Sequence, residues 1–125
     1  MITVYYRKTC TSSKRAFEWL TEQKLDFQAK DISQIPVYEI YRLLPLTDGG
    51  MESIVKSQIK GSVETQRKLE ILQNLSFNEG ILYLKKHPEL LQTPLVIEGE
   101  KYLVGFNNEE IRKFIPRSMR RLQFL

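Results

Sequence analysis

One cysteine, Cys10, stands in the run Cys10-Thr11-Ser12-Ser13 directly after an apolar stretch. A thiol is nucleophilic in proportion to its thiolate fraction, so its surroundings decide what it can do. Ile2-Thr3-Val4-Tyr5-Tyr6 is β-branched and aromatic, as suits a buried strand. Thr11, Ser12 and Ser13 are helix-capping types, and Ala16, Trp19 and Leu20 then recur at helical spacing. Cys10 is therefore expected near a helix N-terminus, where unpaired N–H groups and the macrodipole favour a thiolate. Arg7, Lys8, Lys14 and Arg15 push the same way. The competing reading is an inert sulfur that packs as a small hydrophobe. With Ser13 three residues on and no second cysteine in the sequence, an intramolecular disulfide switch is not expected.

Other chemistries fade faster. One cysteine and one histidine do not assemble a structural zinc site, and no metal or cofactor is expected. His87, in Lys85-Lys86-His87-Pro88, reads as an exposed helix end with no carboxylate or thiol placed beside it by sequence. There is no P-loop and no G-x-G-x-x-G. Trp19 reads as core from its register with Ala16 and Leu20. Glu109-Glu110 reads as a helix first turn favoured by the dipole, not as an acid–base pair.

The elements that must position Cys10 fit a single domain of 125 residues, 42% apolar and 27% charged. No apolar run approaches the length of a membrane span. A strand at the N-terminus leaves no room for a signal peptide, and a lone cysteine suits a reducing cytoplasm, which is the expected location. The net charge of +4 permits contact with nucleic acid or an acidic protein without establishing either. Its densest group, Arg112, Lys113, Arg117, Arg120 and Arg121, reads as a solvated helix end.

Strand 2–6, a helix over about 12–24 and strand 26–31 predict a parallel β-α-β crossover. The middle reads as short helices. Ile40, Leu43 and Leu44 share a face before Pro45, and Asp48-Gly49-Gly50 is a turn. Further helices are expected over Met51–Gln58, Gln66–Leu75 and Asn78–Lys86. Pro94–Ile97 and Tyr102–Val104 flank the hairpin signal Glu98-Gly99-Glu100-Lys101. Asn107 and Glu110 stand in capping-box register before Ile111, Phe114 and Ile115, and Pro116 stops that helix. The expected fold is α/β, a thioredoxin-like four-stranded mixed sheet with a helical insert.

The strand, the Cys10 turn, the helical insert and Thr93-Pro94 before a hairpin resemble the arsenate reductase (ArsC) superfamily. Within it the chain is similar to the Spx regulators. The matching stretches are C-T-S-S at 10–13, L-T-D-G-G at 46–50, H-P-E-L-L-Q-T-P-L-V-I at 87–97 and V-G-F-N-N-E-E-I-R-K-F-I-P-R at 104–117. The resemblance implies thioredoxin-like parts over about 1–33 and 91–118, with the insert over about 34–90. It also implies a cis Thr93-Pro94 bond. As a function it implies a cytoplasmic stress-response regulator, monomeric when free, that binds the C-terminal domain of the RNA polymerase α subunit and reaches promoter DNA only through polymerase. The contact glycine of that family corresponds to Gly50, beside Gly49. Lys56 and Lys60 follow it and are candidates for biasing the complex towards DNA.

Departures from the family pattern are part of the reading. Ser13 stands where redox-switched members carry a second cysteine. Pro45, Gln58 and Thr93 stand where members carry basic residues, and together they imply a redox-blind paralogue, either an activator or a competitor for α. The resemblance also leaves an enzyme reading open, a monothiol arsenate reductase with Cys10 as nucleophile. Such an enzyme needs arginines around the oxyanion, and Gln58, Thr93 and Gly105-Phe106-Asn107 occupy those regions.

Overall fold

A computed structural model describes residues 1–56 and 62–118. Gln58, Lys60, Arg120 and Arg121 lie outside the described residues. The chain divides into two compact units, Met1–Lys30 with the chain from Thr93 onward, and Asp31–Gln92.

In the first unit the β-branched and aromatic run forms strand β1, Ile2–Tyr6, with Ile2, Val4 and Tyr5 buried. Helix α1 follows at Thr11–Glu22 and buries Ser13, Ala16 and Leu20. Strand β2 is Phe27–Asp31, β3 is Leu95–Glu98 and β4 is Lys101–Val104. The strand order is β2-β1-β3-β4. β1 and β3 are antiparallel with Val4 opposite Val96, and β3 and β4 are antiparallel with Leu95 opposite Val104. The hairpin turns at Gly99, whose φ of 60° suits a residue without Cβ.

Val4, Leu20, Val96, Leu103, Ile111 and Phe114 are the heart of this unit's core. Full burial of each such side chain contributes about 1.5–3 kcal/mol before conformational entropy is charged against it. Trp19 is only partly buried and packs on the rim of that core, not within it. Helical register gives the direction of a side chain, not the depth to which it is covered.

The closing segment also differs from expectation. Glu110–Phe114 is a five-residue 3-10 helix instead of an α-helix. Its N-cap is Glu109, not the expected Asn107, which lies two residues earlier and whose Oδ1 accepts the N–H groups of Glu109 and Glu110 at 2.8 and 3.0 Å. Pro116 follows too soon for α-helical turns to accumulate. Lys113 is no solvated helix end, because its Nζ donates to the Tyr102 carbonyl at 2.8 Å.

The second unit is helical: α2 Val37–Leu43, α3 Met51–Ile54, α4 Val63–Gln73 and α5 Phe77–Lys86. Ser62 and Ser76 cap α4 and α5, and Ser76 forms a reciprocal capping box with Glu79. The helix expected over Met51–Gln58 ends at Ile54. Val55 instead pairs with Leu91 in an antiparallel bridge, and the Lys56 N–H donates to the Leu90 carbonyl at 2.8 Å. A β-branched residue accepts that extended geometry readily.

His87 is the C-cap of α5 and is half-buried, not an isolated exposed end. Its ring lies 4.4 Å from that of Tyr83, and its Nδ1 lies 3.3 Å from Glu89. Glu89 also accepts from Lys68 at 2.8 Å. Among the described residues no helix is long and apolar enough to cross a membrane.

Candidate functional site

The thiol corner belongs to the first unit. β1 runs out at Tyr6, and the chain turns through Arg7–Thr9 so that the Cys10 N–H donates to the Arg7 carbonyl at 3.0 Å. Cys10 is itself the N-cap of α1, with extended φ and ψ of −92° and 114°. Thr11, Ser12 and Ser13, the expected caps, fall inside the first turn. The sulfur thus sits where the helix presents its unpaired N–H groups.

Three residues close around it. As a neutral thiol, Cys10 donates to the Thr93 carbonyl at 3.4 Å. Ser13 is buried, and its Oγ accepts the Arg7 N–H at 3.4 Å. Arg7 Nη1 donates to the Thr93 Oγ1 at 3.5 Å, which leaves the Thr93 hydroxyl proton to point elsewhere. Partial burial pushes the Cys10 thiol up. The Ser13 and Thr93 hydroxyls and the Ser13 and Ser12 backbone groups outweigh it, so the thiol ionises below the ordinary range. The Thr93-Pro94 bond is cis, as the fold implied.

Of the basic residues expected around the thiol, Arg7 is tied into the corner. Lys8, Lys14 and Arg15 are exposed, and Arg15 lines a cleft beside Trp19. The sequence marks Thr93 as a place where an arginine is missing and as the residue before a cis proline, but not as the acceptor of the Cys10 thiol. Its position before a proline was the available signal, since that residue is held extended and offers its carbonyl outward.

The glycine turn belongs to the second unit. Gly50 has φ 63° and ψ −132°, a conformation essentially restricted to glycine, and opens α3. A Cβ built there would meet no atom within 4 Å. At Gly49 a Cβ would come within 2.7 Å of the Ser53 Oγ, which accepts the Gly49 N–H at 3.0 Å. The Thr47 hydroxyl faces the carbonyls of Leu44 and Gly50 at 2.8 and 3.3 Å, and the shorter is the better bond for its single proton.

Gly49 and Lys56 both line an open groove of about 670 Å³, with Met51, Val55, Leu69 and Leu72 among its walls. Gly49, Gly50 and Lys56 are therefore brought to one region, while Lys60 lies outside the described residues. No group of three or more metal-ligating side chains occurs among the described residues.

The model of the ArsC family matches residues 5–114. The chain is 35% identical over 123 residues to the global transcriptional regulator Spx 2 of Bacillus anthracis, covering 96% of this chain and 91% of that one. It is 33% identical over 124 residues to the global transcriptional regulator Spx of Streptococcus pneumoniae, covering 97% and 90%. A Staphylococcus aureus protein solved by NMR superposes with a TM-score of 0.75 at 26% identity, covering 90% and 97%. The arsenate reductase of Vibrio cholerae superposes at 0.73 with 19% identity, covering 91% and 97%, a likeness of fold alone.

Proposed function

Since this chain belongs to the ArsC family and is similar over nearly its whole length to the Spx regulators within it, we propose that it regulates transcription by docking on RNA polymerase. The contact is the C-terminal domain of the polymerase α subunit, and the docking element is the Gly50 turn. The protein acts in the cytoplasm as a monomer that joins polymerase, and it turns over no substrate. Promoter DNA is met only within that complex, with Lys56 and Lys60 as the candidate residues facing it.

The observation that carries this reading is the combination of full-length similarity to curated regulators with open space around Gly50. A backbone turn with nothing over it lets a partner approach main-chain atoms directly. Cys10 has no cysteine to pair with at position 13, so no intramolecular disulfide gates the docking.

Binding to the isolated α C-terminal domain tests the proposal. The parent protein binds, Gly50→Arg does not, and Gly50→Ala separates causes because it carries the backbone strain without the bulk. Failure of the parent protein to bind would overturn the reading. Charge reversal at Lys56 and Lys60 should weaken promoter-dependent binding and leave α binding intact.

One observation favours a second reading. The lowered Cys10 pKa is what a nucleophile needs, so a monothiol reductase acting on an oxyanion is the alternative. Against it, among the described residues Arg7 is the one arginine tied into the corner, and its Nη1 is directed at Thr93. Arsenate turnover, supported by an external thiol and lost in Cys10→Ala, would establish the enzyme.

A further inference from the structure

Beyond polymerase docking, we infer that the cleft between α1 and the segment after β4 receives an arginine side chain from a partner protein. Arg15, Glu18, Trp19 and Glu22 follow one another at helical spacing on α1, and Phe106 and Asn108 close the opposite side. The cleft holds about 240 Å³. That lies below the range of cofactor pockets, roughly 300–1,000 Å³, and suits the head of one side chain.

Two aromatic rings give the cleft its shape. Trp19 and Phe106 are each partly buried and packed against the core of the first unit, so their positions are set by that core. An indole face is the best aromatic acceptor for a cation, and a guanidinium both stacks on it and pairs with carboxylates. Glu18 and Glu22 supply those carboxylates. Both are exposed, and among the described residues neither takes part in an ion pair.

The charge balance favours a cation over an anion. Among the described residues that line the cleft, Arg15 is the one cation against two carboxylates, on a chain whose net charge is +4. Asn107 fixes the adjoining turn by accepting the Glu109 and Glu110 N–H groups, which sets two further carboxylates directly after Asn108. Arg15 lines the same cleft and repels an incoming guanidinium, so it limits the affinity without reversing its sign.

Trp19 is the sole tryptophan, so its fluorescence in the full chain reports this cleft. The probe is an acetylated and amidated Gly-Arg-Gly tripeptide, with citrulline, lysine and glutamate versions as comparisons. A saturable fluorescence change with the arginine peptide, and none with citrulline, is the expected result. Glu18→Gln with Glu22→Gln should weaken it by about five-fold or more, and Arg15→Met should tighten it by about two-fold or more, the scale of exposed ion pairs. Circular dichroism and the unfolding midpoint of these surface variants verify that each keeps the parent fold. Equal binding of citrulline, tighter binding of lysine or glutamate, weaker binding in Arg15→Met, or no saturable change would each overturn the inference.

Discussion

The thiol corner and the glycine turn are built by opposite means. The corner joins residues far apart in the chain, with Cys10 bonded to a carbonyl 83 positions away. Its content is chemical, a sulfur whose ionisation is set by what surrounds it. The turn is held by bonds between residues three or four apart, Thr47 to Leu44 and Ser53 to Gly49. Its content is geometric, a backbone left bare because a side chain is missing. A thiol has to be enclosed to be tuned, whereas a turn proposed for docking has to be exposed to be read.

The sharpest break in that comparison is at Gly50. Gly50→Arg should reduce binding to the α C-terminal domain by about 30-fold or more, the scale of an interface hot spot, as titration calorimetry would register. The same substitution should leave the alkylation rate of Cys10 unchanged. A change in both would mean that the two regions are coupled.

The next effect falls on the corner alone. In Ser13→Ala with Thr93→Val, the hydroxyls that oppose burial are gone, so the thiol pKa should rise. Alkylation by iodoacetamide should then slow at pH 7, and its pH midpoint should move up. The sign for stability follows from the lowered native pKa. The corner's contribution is complete above the thiol pKa of the unfolded chain and is lost as pH falls through the native one. An unmoved midpoint in the double variant would refute the assigned causes.

A smaller change is expected at Gly80. A Cβ there would approach the Met51 Cε at 2.6 Å and its Sδ at 2.9 Å, so Met51 must swing aside within the groove it lines. The gain in helix propensity, up to about 1 kcal/mol, is offset by that displacement. Gly80→Ala should therefore shift unfolding by less than about 1 kcal/mol, while perturbing binding at the groove more than thiol chemistry.

The smallest effect concerns Glu89. Partial burial pushes its carboxyl up, and Lys68 and the nearby His87 more than reverse this, leaving the pKa lowered. Stability from this group is complete above the ordinary glutamate value of 4.5 and is lost as pH falls through the native value. Lys68→Met should flatten the acid limb of a stability–pH curve measured by urea unfolding.

Legibility in the sequence followed the same division. The strand–thiol–helix order and the two-residue hairpin could be read because each rests on neighbouring residues: a β-branched run, apolar residues at helical spacing, a glycine at a turn. The Gly50 turn was legible for that reason as well. Three features depended on distant partners and were not. Val55 pairs with Leu91, Thr93 turns its carbonyl to Cys10, and Glu89 accepts from Lys68. The 3-10 form of Glu110–Phe114 escaped for another cause, since an asparagine that accepts N–H groups ahead of a helix does not tell an α-helix from a 3-10 helix.

The solitary sulfur also sets a kinetic order. In a dithiol the second sulfur resolves a mixed disulfide from within the chain, at a rate set by its own geometry once an outside disulfide has been attacked. Cys10 can form a disulfide only with a second molecule, so the rate of any such cap scales with the concentration of that molecule. A thiol of lowered pKa is in turn a better leaving group, so the same corner that favours capping also speeds release. The oxidation state of this residue would then follow the ambient thiol pool moment by moment and retain nothing once that pool is reduced.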